Sequence, residues 1–210
     1  AFNSNLVTVE ITGLEYASGQ QSALVHGTGL FSIDLNSLSS DPIKWLDFYI
    51  RPVAMQWSDL PELIPTEQSA VTAFVDNVAQ GEFVSLDGDG QGGGQWVYTG
   101  AVFNISDRKS LDWIRLSYRL DTESKSYDIY INGEMLKYDL GFLDDSISSL
   151  SVFSLRPDSF RKTSFDYFYA GEENPIFSDF DEDGIDDVYE SSQGLNSSLN
   201  DRAFDLDNDG

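Results

Sequence analysis

The chain has 210 residues, 40% of them apolar, enough for one sizeable core and a small appendage. Its 36 acidic residues outnumber 12 Lys and Arg, for a formal net charge of −24, which argues against nucleic acid as a partner because phosphate binding relies on neutralising cations. There is no cysteine for a disulfide framework, and no run of about eighteen apolar residues for membrane insertion.

Near the start, Val7, Val9 and Ile11 alternate with Thr8, Glu10 and Thr12, the period of two that marks a strand with one buried face, and Gly13 ends it. Ala23 to Val25 and Leu30 to Leu35 repeat the pattern. His26, the one histidine, sits beside Gly27, where a turn or packing role is expected in preference to metal ligation. Pro42 precedes a strand from Trp45 to Val53. Leu46, Phe48 and Ile50 share one face of it, and Trp45, Asp47, Tyr49 and Arg51 share the other. Rings alternating with hydrogen-bonding groups suit a sugar platform, and they suit the rim or interior of a sandwich equally.

Trp57 falls in a loop with Pro61 and Pro65, and Ala70 to Val75 and Gly81 to Leu86 read as two strands joined through Asp76 and Asn77. Asp87 to Gln95 is glycine-rich but lacks the lysine, spacing and following helix of a phosphate-cradling loop. It reads as a surface loop, with Asp87 and Asp89 as further calcium candidates. After strands at Trp96 to Tyr98 and Ala101 to Ile105 comes a meander. Ile114, Leu116, Tyr118 and Leu120 alternate with Trp113, Arg115, Ser117 and Arg119, and Tyr127, Ile129 and Ile131 form the return strand. Asn132-Gly133 is the strongest short hairpin turn, followed by a third strand from Glu134 to Leu140. Ile147 to Leu155 and Ser164 to Ala170 supply two more. No helical period occurs before Asp186, so the body is expected to be all β.

The charge is concentrated at the end, where residues from Ser178 onward hold eleven acids against Arg202 alone. Asp179, Asp181 and Asp183 stand at positions one, three and five of a twelve-residue loop. Gly184 permits a bend at six, Ile185 offers a backbone carbonyl at seven, Asp187 stands at nine and Glu190 closes at twelve. This is the spacing of a loop for Ca2+, a hard cation that takes roughly six to eight oxygens at about 2.3 to 2.6 Å. A solvated acidic linker is the bland alternative. Carboxylates this crowded repel one another, and a divalent ion relieves the repulsion. Val188 to Gln193 fits one or two helical turns ended by Gly194. Asp205, Asp207 and Asp209 with Gly210 begin a second such loop, whose later positions fall beyond the last residue, so the sequence reads as a fragment of a longer protein.

The tail from Ser178 to Gly210 resembles the thrombospondin type 3 repeats of bacterial surface and secreted proteins, on the strength of Asp-x-Asp-x-Asp-Gly-Ile-x-Asp-x-x-Glu and the second start. An EF-hand would want an entering helix and an apolar residue where Asp186 stands, and a dockerin would want a longer apolar helix after the loop. The meander, with Trp113 at its head and Tyr-Asp-Ile-Tyr-Ile-Asn-Gly at 127–133, resembles the central hairpins of laminin G-like, concanavalin A-like jelly rolls. The strand through Phe165, Asp166 and Tyr167 resembles the closing strand of that module. The resemblance implies an all-β antiparallel jelly-roll β-sandwich over residues 1–171, a linker at 172–177 and a short calcium-loop appendage at 178–210. It also implies ligands on the concave sheet or its loops, and Trp113 packed inside.

The first functional expectation is therefore a non-catalytic recognition module for a polysaccharide or other glycan. Its contacts would be Trp45, Tyr49, Arg51, Arg115, Arg119 and Tyr130, and the protein would be secreted or attached to a cell surface. A structural or adhesive spacer is the second. A glycan-cleaving enzyme is the third, disfavoured because the Glu-x-Asp-x-x-Glu strand motif of laminarinase-type jelly rolls is absent. Chelation is expected to disorder the tail and leave the sandwich folded.

Overall fold

The structure is a computed structural model that describes residues 7–12, 22–27, 31–36, 38, 40–51, 69–76, 78–85, 94–99, 101–105, 113–157, 163–183 and 185–200. Its strands in chain order are β1 (Val7–Thr12), β2 (Ser22–Gly27), β3 (Phe31–Asp34), β4 (Ile43–Arg51), β5 (Ser69–Val75), β6 (Val78–Ser85) and β7 (Gly94–Tyr98). These are followed by β8 (Ala101–Ile105), β9 (Ile114–Asp121), β10 (Ser126–Ile131), β11 (Glu134–Gly141), β12 (Val152–Pro157), β13 (Thr163–Gly171) and a short helix, α1 (Asp187–Gln193). They form a seven-stranded sheet, ordered β1-β2-β13-β4-β9-β10-β11, and a six-stranded sheet, ordered β3-β12-β5-β6-β7-β8. The described ladders are antiparallel. Two such sheets face to face make an all-β jelly-roll sandwich.

Alternation decides which face of the seven-stranded sheet looks inward. Leu46, Phe48 and Ile50 of β4, Leu116, Tyr118 and Leu120 of β9, and Tyr127 and Ile129 of β10 all enter the core. The six-stranded sheet answers with Ala73, Val75, Trp96, Phe153 and Leu155. Tyr118 joins the layers, its ring centroid 6.0 Å from Phe48, 5.3 Å from Phe153 and 5.7 Å from Trp96. Burying each large side chain of this kind contributes about 1.5–3 kcal/mol. The Asn132-Gly133 turn has positive φ at both residues, 56° and 86°, as the two-residue hairpin between β10 and β11 requires.

Some sequence expectations are corrected. His26 lies within β2, paired with Thr8, because the ladder runs on to Gly27 instead of turning there. The apolar residues from Ile147 onward do not start a strand: 142–151 is irregular, and Phe142 and Ile147 anchor it in the core. Asp76 closes that segment by accepting hydrogen bonds from Ser151 N, Ser151 Oγ and Val152 N at 3.1, 2.7 and 2.8 Å. Trp113, expected inside, is half-buried just before β9. Trp57, Asp87 and Asp89 lie outside the described residues.

Trp96, which the sequence did not single out, depends on a neighbour without a side chain. A Cβ placed on Gly81 would stand 2.4 Å from its Cζ2 and 2.7 Å from its Cε2. Gly81→Ala is therefore expected to destabilise the fold by about 1–3 kcal/mol through overpacking, read as a lowered denaturant midpoint with an unchanged m-value.

Candidate metal loop and the sheet face beneath it

The outward face of the seven-stranded sheet is polar by sequence, yet much of it is withdrawn from water. Asp47, Ser117, Asp128 and Ser164 are all buried on it. Such groups cost free energy unless they are hydrogen-bonded. Asp47 Oδ1 accepts from Arg115 Nε at 2.9 Å and from Ser117 Oγ at 2.7 Å, and its Oδ2 accepts from an Arg115 terminal nitrogen at 2.7 Å. These bonds hold the Arg115 guanidinium still further above its ordinary pKa. Arg119 faces Asp128 at 3.5 Å, and Asp128 Oδ1 accepts from Asp139 N at 2.9 Å.

The chain beyond β13 supplies the cover. Arg115 also donates to Pro175 O at 2.9 Å, and Arg119 donates to Glu182 O at 2.6 Å. Phe177 sets its ring edge-on against two others, 6.3 Å from Trp45 and 5.7 Å from Tyr130. Ile176 reaches the hairpin turn, where its Cγ2 lies 3.4 Å from the place a Gly133 Cβ would take. As a result Trp45 and Tyr130 are each 1% exposed. The open sugar platform expected at Trp45, Tyr130 and Arg119 is closed in this structure, and Arg51 is buried as well. The residues expected to be a linker, 172–177, are what close it.

The loop follows directly. Asp179, Asp181 and Asp183 each offer a carboxylate oxygen, and these oxygens lie within 4.8 Å of one another. Both Asp181 oxygens are shielded from solvent and accept no hydrogen bond, and Asp183 and Glu190 are fully buried. Glu182, between two of the aspartates, has a left-handed φ of 60°, and Ile185 N donates to Asp183 Oδ1 at 2.9 Å. Asp187 closes the loop instead of pointing at the triad. Ser178 Oγ donates to its Oδ2 at 2.6 Å and Phe180 N to its Oδ1 at 3.0 Å, which hold its carboxyl below the usual range. That suits the ninth position of a calcium loop, which often reaches the ion through water. Asp186 caps α1 by accepting from Val188 N, and Gly194, at φ 79°, ends it as the sequence predicts. Asp205, Asp207 and Asp209 lie outside the described residues.

One corner of the sheet face remains open. Along β13 the register passes from Asp166↔Tyr49 to Tyr169↔Asp47, so β13 carries one residue more than β4, a β-bulge. Tyr167 sits in it with φ 46°, a strained conformation for a bulky side chain, and is 51% exposed. Its ring stands edge-on to Tyr49, 6.2 Å away at 78°.

No protein-family model matches the sequence, and no curated protein matches it. Among solved structures the chain is similar to the CBM22-1 xylan-binding domain of Xyn10C from Paenibacillus barcinonensis, at 16% identity and TM-score 0.38 over 81% of this chain and 83% of that one. It is similar to a sialidase at 9% identity and TM-score 0.50, over 88% of this chain and 18% of that one. It is also similar to the endo-β-1,4-glucuronan lyase of the fungus Trichoderma reesei, at 11% identity and TM-score 0.49 over 80% and 88%. At 9% identity the likeness to the sialidase is one of fold alone.

Sequence reasoning missed Tyr167, whose place depends on a bulge, and the roles of Pro175, Ile176 and Phe177. The available signal was three apolar residues in succession at the threshold of an acidic tail. Asp47 holds the buried network together, so Asp47→Ala should leave the Arg115 charge without its carboxylate. A loss of about 3 kcal/mol, seen as a shift in the urea midpoint, is expected.

Proposed function

We propose that this protein is a non-catalytic recognition module for glycans, carried by a secreted or surface-attached bacterial protein, with a calcium loop that orders its C-terminal segment. The observation that carries the recognition reading is the open corner of the polar sheet face. There the bulge lifts Tyr167 out beside Tyr49, and the partly exposed Arg115 borders them. Aromatic faces pack on the apolar face of a pyranose, while guanidinium and phenol groups meet its hydroxyls. With Arg115 and Arg119 of this face engaged by carboxylates and backbone carbonyls and the chain strongly acidic, neutral polysaccharide is the favoured ligand class. The non-catalytic reading rests on the missing hydrolase motif. It is also favoured by the engagement of Asp47 with Arg115 and Ser117, which removes a carboxylate from this face as a free acid or base.

The calcium reading rests on the donor set. Asp179, Asp181 and Asp183 would hold the ion with Glu190 and the Ile185 carbonyl, and Asp187 would act from one shell further out. Three carboxylates whose oxygens lie within 4.8 Å of one another and are partly shielded from solvent repel one another unless a countercharge is present. An all-oxygen, multi-carboxylate set suits calcium better than a softer metal. Once bound, the ion supplies positive charge and a cross-link in a chain that has no disulfide.

Calorimetric titration of calcium into chelator-treated protein should give a saturable heat of binding. Asp181→Asn should weaken it by at least about tenfold, since even residues that merely support metal ligands are worth that much. A featureless titration of the wild type would remove the calcium reading. For the sheet face, affinity electrophoresis in neutral polysaccharides should show retardation that Tyr167→Ala weakens by about three- to tenfold, the worth of one ring contact. Unretarded migration across neutral plant, algal and bacterial polysaccharides would instead support a structural spacer.

A further inference from the structure

Residues 172–183 meet the sandwich through contacts that do not involve a proposed metal ligand's side chain, and four of them bear on the loop. Arg115 holds the Pro175 carbonyl, Ile176 abuts the Gly133 turn, Phe177 seals Trp45 and Tyr130, and Arg119 holds the Glu182 carbonyl. The last is the most telling. The Glu182 carbonyl belongs to the peptide that joins Glu182 to Asp183, so a guanidinium on β9 fixes the backbone between the second and third aspartates. Arg119 is itself anchored in the sheet by Asp128. The position of the Asp183 carboxylate relative to Asp181 is thus set by the sheet as well as by the loop.

We infer that cation binding in the loop and docking of residues 172–183 on the face made by β4, β9 and β10 are thermodynamically coupled. The cation binds more tightly while the segment is docked, and its removal loosens the cover over Trp45 and Tyr130. This rests on the calcium reading proposed above and goes beyond it, because that reading alone is satisfied by an independent loop hung on a finished sandwich.

The physical basis is linkage. Without the ion, the convergent carboxylates push the loop open, and the Glu182 carbonyl moves with them away from Arg119. With the ion, the loop geometry that presents this carbonyl to Arg119 is the one that also gathers the three aspartates. Whatever free energy the ion adds to docking, docking must return to the ion's affinity. Mutations at the cover, remote from the ligands, should therefore weaken metal binding. The coupled surface is the one that the sequence presents as a glycan platform, so calcium would decide whether the Trp45–Tyr130 ring pair, with centroids 5.5 Å apart, meets solvent.

The test uses the full chain and calcium alone. Phe177→Ala removes the ring over Trp45 and touches no proposed ligand. It should keep the wild-type stoichiometry and lose calcium affinity by about five- to tenfold, within the range of ordinary couplings between sites. Ile176→Ala serves as a second variant if the first fails to fold, as judged by circular dichroism. In the wild type, chelation should red-shift tryptophan emission and raise its quenching by acrylamide, and this change should be lost in Trp45→Phe. The inference is overturned if the cover variant binds calcium as tightly as the wild type. It is likewise overturned if chelation leaves Trp45 shielded. A wild type that takes up no calcium overturns the calcium reading and the coupling together, whereas the first two results overturn the coupling alone.

Discussion

A polar sheet face withdrawn from water must find a partner for each donor and acceptor it carries, and the C-terminal half of the chain is arranged to satisfy that condition. Asp47 and Asp128 are buried on the outer face of the seven-stranded sheet, and each faces an arginine of β9. The arginines have donors left over, and these reach the backbone carbonyls of Pro175 and Glu182. Arginine suits this place because its planar fork offers five donors in fixed directions. One edge grips a carboxylate while another holds a passing strand of chain. Lysine, with a single rotatable ammonium, could not hold both partners in that geometry.

The fold was largely legible because its signal is local. In β4, β9 and β10 the inward residues are apolar at every second position, and each alternation becomes one wall of the core. The Asn132-Gly133 turn was legible for the same reason, since positive φ at two successive residues calls for those residue types. Trp96 and Gly81 were not, although each requires the other. The space that one leaves for the other exists only after β6 and β7 pair.

The candidate site divides along the same line. Asp179, Asp181 and Asp183 could be picked out because the ligands of a calcium loop lie close in sequence, and the structure does bring their carboxylates together. The sheet face could not be read correctly. Alternation places Trp45, Tyr49, Arg115, Arg119 and Tyr130 on one side, but whether that side meets water depends on a segment roughly 40 to 130 residues away in the chain. Phe177 shields Trp45 and Tyr130 through contacts that leave no periodicity behind. Tyr167 was missed for a related reason: one additional residue in β13 changes where the ring points, and a bulge has no reliable signature in a single sequence.

Charge gives these pieces a common logic. The chain has three acidic residues for each basic one, so its arginines are scarce, and two of them are committed beneath the C-terminal segment. At the loop, Arg119 meets the backbone, at Glu182 O. A guanidinium fixed in the sheet thus positions the loop through its backbone. A mobile divalent ion, unlike a fixed guanidinium, can enter or leave according to its concentration. Holding the loop by its backbone, through Arg119 and Glu182 O, is the arrangement expected if, as proposed, order in the C-terminal segment depends on a metal.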